Sequence, residues 1–209
     1  MRAVYNQFAG QSLDRVAALS DGVFAIAMTL LVLDLRIPSN TGVHSDLQFW
    51  QTLAPLARNF LPYVMSFLTL GIFWVGQQTQ LQQFKRSDRN LSWIHLGFLF
   101  AVTLMPFSTA LLAAFIAIRS ALVIYWLNIL LLGLMLYLGH RYAARADLIK
   151  DEVTPEMRAA TDRRIVVAQA LYAAGAALCL ISTYASIAAI VLVQLNYVIA
   201  PRLRLLYHL

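Results

Sequence analysis

Of 209 residues, 60% are hydrophobic and only 12% charged, and the mean hydropathy of +0.68 excludes an ordinary water-soluble globule in favour of a membrane protein. The net charge of +6 does not point to nucleic acid, because basic residues in such chains gather in the short loops that set membrane orientation. Cys179, the single cysteine, lies in an apolar run, so neither an intramolecular disulfide nor a thiolate metal cluster is available and a small packing residue is expected there.

About 20 apolar residues cross a hydrocarbon core of about 30 Å. By that measure the chain reads as an all-α membrane protein, one domain over 1–209, with six spans at about 16–37, 57–76, 92–117, 120–139, 165–183 and 185–201. The first span is too long for a signal-peptide core, contains Asp21, and ends in LDLRIP with no small-residue cleavage pattern, so it is expected to stay as structure. The third contains Pro106 and should kink there, since proline removes a backbone donor and crowds the preceding turn. Between the fourth and fifth, Thr154-Pro155-Glu156 has the form of a helix start, threonine capping and proline at the first position. From Ile165 to Ala200 no charge interrupts the chain, and one helix of that length would run about 54 Å, so a tight hairpin near Ser182 to Ser186 is expected. Six crossings place thirteen Lys and Arg on one side and three (Arg36, Arg58, Arg119) on the other, which puts both termini in the cytoplasm and the chain, multi-pass, in the inner membrane.

Groups that could carry out catalysis are sparse. His44, His95, His140 and His208 have no partners at metal-ligand spacing, and neither a Gly-rich phosphate loop nor a serine elbow is present, so no enzyme activity, metal or cofactor is expected.

The first span is the exception in polarity. Gly22, Ile26, Thr29, Leu33 and Ile37 recur at intervals of four, three, four and four and form one stripe, with Leu30 beside it. Such a stripe suits ordinary helix packing, and a threonine there can bond a carbonyl of its own helix. The acids are harder to place. Asp21 and Asp34 are thirteen residues apart, about 20 Å along a helix, so both cannot lie outside the core. A buried charge in a span costs on the order of 3 kcal/mol and is usually paired or lines an aqueous path. Asp34 has Arg36 nearby and can reach outward. For Ser20 and Asp21 two readings stand: an N-cap at the helix start, or a buried polar knot with other helices, for which Trp93 and His95 lie at a compatible depth.

Arg15-Val16-Ala17-Ala18-Leu19-Ser20-Asp21, followed by GVFAIAMTLLVLDL, resembles the R-x-x-x-F-S-D signature on the first helix of the potassium channels of the transmembrane protein 175 family, in its short prokaryotic form. GIFWVGQQTQLQQF and MPFSTALL are similar to the family's later segments. Two positions depart: Leu19 replaces the signature phenylalanine, and Gln77-Gln78 stands where relatives often carry histidines. The resemblance implies a homotetramer in the lipid bilayer, its four first helices surrounding a path for K+ and other monovalent cations, without a carbonyl filter. It implies Ile26 at the narrow apolar constriction, Leu30 and Leu33 at further apolar layers, Thr29 at the hydroxyl layer tied to potassium preference, and Arg15, Ser20 and Asp21 as anchors of the helix, with Asp21 held by Arg15 or His95. Two other functions remain open. A coupled transporter would carry a proton on Asp21 and His95, and a non-conducting scaffold would use Ala170, Ala173, Ala174 and Ala177 for close helix contact.

Overall fold

The structure, a computed structural model, describes residues 12–35, 44–54 and 56–199 and is entirely helical apart from one isolated strand-like bridge between Phe84 and Ile149. In chain order the helices are α1 (Leu13–Leu31, continued by a 3-10 turn Val32–Asp34), α2 (Asp46–Leu53), α3 (Leu56–Gln83), α4 (Arg89–Thr103), α5 (Met105–Ala114), α6 (Arg119–Arg145), α7 (Pro155–Ala177, continued by a 3-10 turn Leu178–Leu180) and α8 (Thr183–Ile199). Among the described residues, four stretches are long and apolar enough to cross a membrane: Asn59–Gln83, Arg89–Ala114, Arg119–Arg145 and Pro155–Leu180. The protein is a multi-pass membrane protein. α8 is apolar but shorter, and α1 carries Asp14, Arg15 and Asp21.

Several boundaries differ from the sequence expectation. The second span extends inward to Gln83, because the amides after Trp74 find protein partners and need not leave the bundle. α2, which the sequence reading leaves as loop, is a short helix capped by Ser45, whose side chain accepts from Gln48 N. The first span ends as a helix at Leu31 with the 3-10 turn to Asp34; Arg36 and Ile37 lie outside the described residues. The final turn falls at Leu180–Ser182, slightly before the expected hairpin, and Ser186 donates back across it to Gly175 O at 2.7 Å. α7 begins at Pro155, with Thr154 accepting from Met157 N at 3.3 Å.

The third apolar span breaks at Leu104, two residues before Pro106. In an unbroken helix Met105 N would donate to Ala101 O. Here the Asn128 side chain of α6 enters that gap: with its amide oriented as the surrounding donors and acceptors require, it donates to Ala101 O at 3.0 Å and accepts from Met105 N at 3.2 Å and Ser108 Oγ at 3.1 Å. A side chain thus replaces the backbone bond that the proline turn has lost, which a membrane interior demands.

Other buried polar groups tie helices together in the same way. Tyr125 OH on α6 bonds Ser66 at 3.2 Å and Thr69 at 3.3 Å on α3, Thr109 on α5 bonds Ser66 at 2.6 Å, and Gln194 on α8 donates to Thr69 at 2.7 Å. Around them the apolar core runs through Phe24, Met65, Phe98, Leu122 and Ile190. At one end of the bundle, the segments after α3 and α6 pair through the Phe84–Ile149 bridge, and Lys85 reaches Asp147 at 3.1 Å and Asp151 at 3.5 Å. Hydrogen bonding to Asp147 raises the Lys85 pKa despite partial desolvation.

Ala170, Ala174 and Ala177 are exposed on the single chain, and α8 approaches α7 at Gly175 and Ala176 instead. A Cβ on Gly175 would already stand 3.4 Å from Ile190 Cγ1, so a larger residue would force the helices apart. Cys179 is buried and free.

The Asn128 bridge gives a direct test. Replacing Asn128 with leucine leaves Ala101 O and Met105 N without side-chain partners, and the expected loss is about 1–3 kcal/mol of stability, read as a lower unfolding temperature of the purified protein in detergent.

Candidate functional site: the free face of the first helix

α1 has two unlike faces. Its N-cap is Ser12, whose hydroxyl accepts from Arg15 N at 3.3 Å, so Ser20 and Asp21 are not a cap; they lie two turns inside the helix. One face buries Ser20, Phe24, Ala27 and Leu31, spaced four, three and four as a helix face requires. Phe24 meets Phe98 of α4 at 5.9 Å between ring centroids, and Phe98 in turn meets Phe73 of α3 at 6.4 Å.

The hydrogen bonds that fix this orientation come from α3. Ser20 Oγ donates to Val16 O at 2.8 Å within its own helix and accepts from Gln77 Nε2 at 2.6 Å. Asp21 Oδ1 accepts twice, from Trp74 Nε1 and from Gln78 Nε2, both at 2.8 Å. Trp74 and Gln78 are four residues apart and share a face, so they converge on one carboxylate oxygen like two tines. Bonds to an ionised acceptor are roughly twice as strong as neutral ones.

These contacts correct the partners expected from sequence. Arg15 is exposed and makes no ion pair among the described residues. His95 is buried, but its Nδ1 lies 3.2 Å from Leu91 O, its ring meets Phe84 edge-on, and its Nε2 has no partner among the described residues. Trp93 is exposed on another face of α4. The Asp21–His95 pair that a proton-coupled transporter would use is therefore not formed. Gln77 and Gln78, noted in the sequence only as a departure, are the residues that hold the helix. Their signal was an indole and two amides within one turn or so of an otherwise apolar span, groups that a bilayer interior leaves costly unless they are bonded.

The opposite face has no partner among the described residues. Ile26 is 61% exposed, Leu33 67% and Leu30 43%, and Gly22 and Thr29 are exposed with them. Thr29 donates its hydroxyl proton to Ile26 O at 2.8 Å, three residues back. That leaves the lone pairs of its oxygen free, an acceptor on a strip of otherwise apolar side chains.

A helical multi-pass membrane protein whose charged-motif helix is locked by one edge, with the other edge bare, is the class these observations define. The family model described as the endosomal/lysosomal potassium channel TMEM175 matches residues 15–106 of this chain. A Streptomyces collinus protein named as a potassium channel is 40% identical over 102 residues, covering 49% of this chain and 48% of its own length. A Chamaesiphon minutus protein, also named as a potassium channel, is 32% identical over 136 residues, covering 64% of this chain and 66% of its own. The crystal structure of a channel from Chamaesiphon minutus, titled a lysosomal potassium-selective channel TMEM175 homolog, superposes with a TM-score of 0.78 at 26% identity over 90% of this chain and 97% of that one. The match spans about half the length of the Streptomyces relative. The relatives are named as ion channels, which are not enzymes.

The lock predicts its own sensitivity. Ser20→Ala deprives the buried Gln77 amide of its acceptor, and the expected cost is about 1–3 kcal/mol. Thermal unfolding in detergent measures it, and Ala18→Ser on the exposed side of α1 serves as a control expected to show little change.

Proposed function

We propose that the protein is a potassium-preferring cation channel, a homotetramer in which four copies of α1 turn the Gly22, Ile26, Thr29, Leu33 edge toward a shared aqueous axis. One observation carries this reading: the edge is bare on the single chain while the opposite edge is bonded and packed. The names of the relatives support potassium as the permeant ion. On this reading α1 and α8 cross the bilayer with the four longer spans, both termini lie in the cytoplasm, and the protein resides in the inner membrane.

The physical chemistry of such a path is simple. Four isoleucines at one level make a narrow apolar throat that empties of water, and an ion cannot shed its whole hydration shell there. Rotating or withdrawing Ile26 wets the throat. One turn on, four Thr29 oxygens replace part of the shell of a weakly hydrated cation, a modest preference for potassium rather than a sharp one. Leu30 and Leu33 line the apolar layers beyond.

Two measurements test these roles. Ile26→Asn is expected to raise potassium leak from liposomes containing the purified protein, and an unchanged flux would remove Ile26 as the constriction. Thr29→Ala is expected to shift the bi-ionic reversal potential toward equal permeability of potassium and sodium; an unmoved potential would take the selectivity role from Thr29.

A further inference from the structure

Away from the α1 face, α3 and α7 diverge and leave a cavity of about 110 Å³, walled by α6 and α8. Gln83 Nε2 bridges the two diverging helices at one end by donating to Thr161 Oγ1 at 3.1 Å. The walls are largely apolar, with Ile72, Phe73, Leu136 and Ile165 among them. Three lining side chains nevertheless carry buried polar atoms without a hydrogen-bond partner among the described residues: Gln80 Oε1, Gln169 Oε1 and the Tyr172 hydroxyl. Gln80 is 2% exposed and Tyr172 1%. A fourth lining residue, Arg164, is exposed and makes no ion pair among the described residues.

These groups specify the guest they would satisfy. Two amide oxygens can only accept, so the guest must bring donors. The Tyr172 O–H and the Arg164 guanidinium can donate, and the fixed positive charge favours an anion, phosphate above all. A cation or a zwitterionic ammonium head would meet Arg164 with like charge. At about 30 Å³ per water in the liquid, the volume suits a head group and not a whole lipid. Basic pockets between spanning helices are established places for anionic lipid heads.

We propose that this cavity binds an anionic phosphate head that also carries free hydroxyls, such as the glycerol phosphate of phosphatidylglycerol. The phosphate bonds Arg164 and accepts from Tyr172, and the hydroxyls donate to Gln80 Oε1 and Gln169 Oε1. The site is independent of the α1 path and stands or falls separately from it.

Native mass spectrometry of the full chain, delipidated in mild detergent and offered equimolar phosphatidylglycerol, phosphatidylcholine and phosphatidic acid, tests the proposal. Phosphatidylglycerol is expected to be retained about tenfold over phosphatidylcholine, which has the same phosphate but no hydroxyl donor and a cation facing Arg164, a ratio worth about one hydrogen bond, and also in preference to phosphatidic acid, which has the charge without the hydroxyls. Arg164→Gln should weaken retention of phosphatidylglycerol and narrow its preference over phosphatidylcholine, the part that remains being due to the hydroxyls. Tyr172→Phe should weaken retention while leaving the hydroxyl preference, and Gln169→Leu, a second variant in case the first fails to fold, should erase the preference over phosphatidic acid. Free glycerol phosphate that displaces the lipid would show that the head alone suffices, and failure to displace it would assign the site to the membrane-borne form. Equal retention of the three lipids, or unchanged preferences in correctly folded Arg164→Gln and Gln169→Leu variants, would overturn the proposal and leave the cavity to water.

Discussion

Two adjacent polar residues decide which way the first helix faces. Ser20 and Asp21 are held by Gln77, Trp74 and Gln78, and a helix bonded at neighbouring positions cannot rotate about its axis without breaking these bonds, of which Ser20–Gln77 is buried. The rotation fixed, Phe24, Ala27 and Leu31 must face the core and Ile26, Thr29 and Leu33 must face away. Apolar packing alone would set this less firmly, because lipid tails are as apolar as leucine and no hydrophobic force favours one greasy face over the other. The polar residues therefore supply the directionality that the oily stripe lacks.

The same economy runs through the rest of the bundle. Tyr125, Ser66, Thr69, Thr109 and Gln194 link four helices, and Asn128 completes a helix interrupted near proline. Thr29 offers a contrast. Its hydroxyl proton stays within its own helix, and its side chain is exposed, with no hydrogen bond to another helix among the described residues. A polar group that joins nothing and lies on a bare apolar strip is what an ion path needs and what a bundle core avoids.

Much of the fold was legible because its causes are local. Long apolar runs gave the spans, Pro106 marked the break, and Thr154-Pro155 marked the start of α7. The stripe of α1 followed from its period alone, yet the expectation that it lines a path came from family resemblance, since periodicity cannot say whether a face meets protein, lipid or water. The lock was misassigned for a physical reason. Charge suggested Arg15 or His95 as the partner of Asp21, whereas neutral indole and amide donors on α3 reach it, and side-chain reach across helices is invisible in a linear pattern. The short α2 was missed because its eight residues are too few for an apolar period to emerge from the loop around it.

Beyond the hydrogen bonds at Ser20 and Asp21, α1 is held to the other helices among the described residues by apolar packing alone, through Phe24, Ala27 and Leu31. Leu33 lies twelve residues beyond the clamp, about 18 Å along the axis. Along that length the contacts are those of one greasy surface on another, which resist separation but are indifferent to a small slide. The polar end of α1 is thus fixed in rotation, and its apolar end is fixed only in depth.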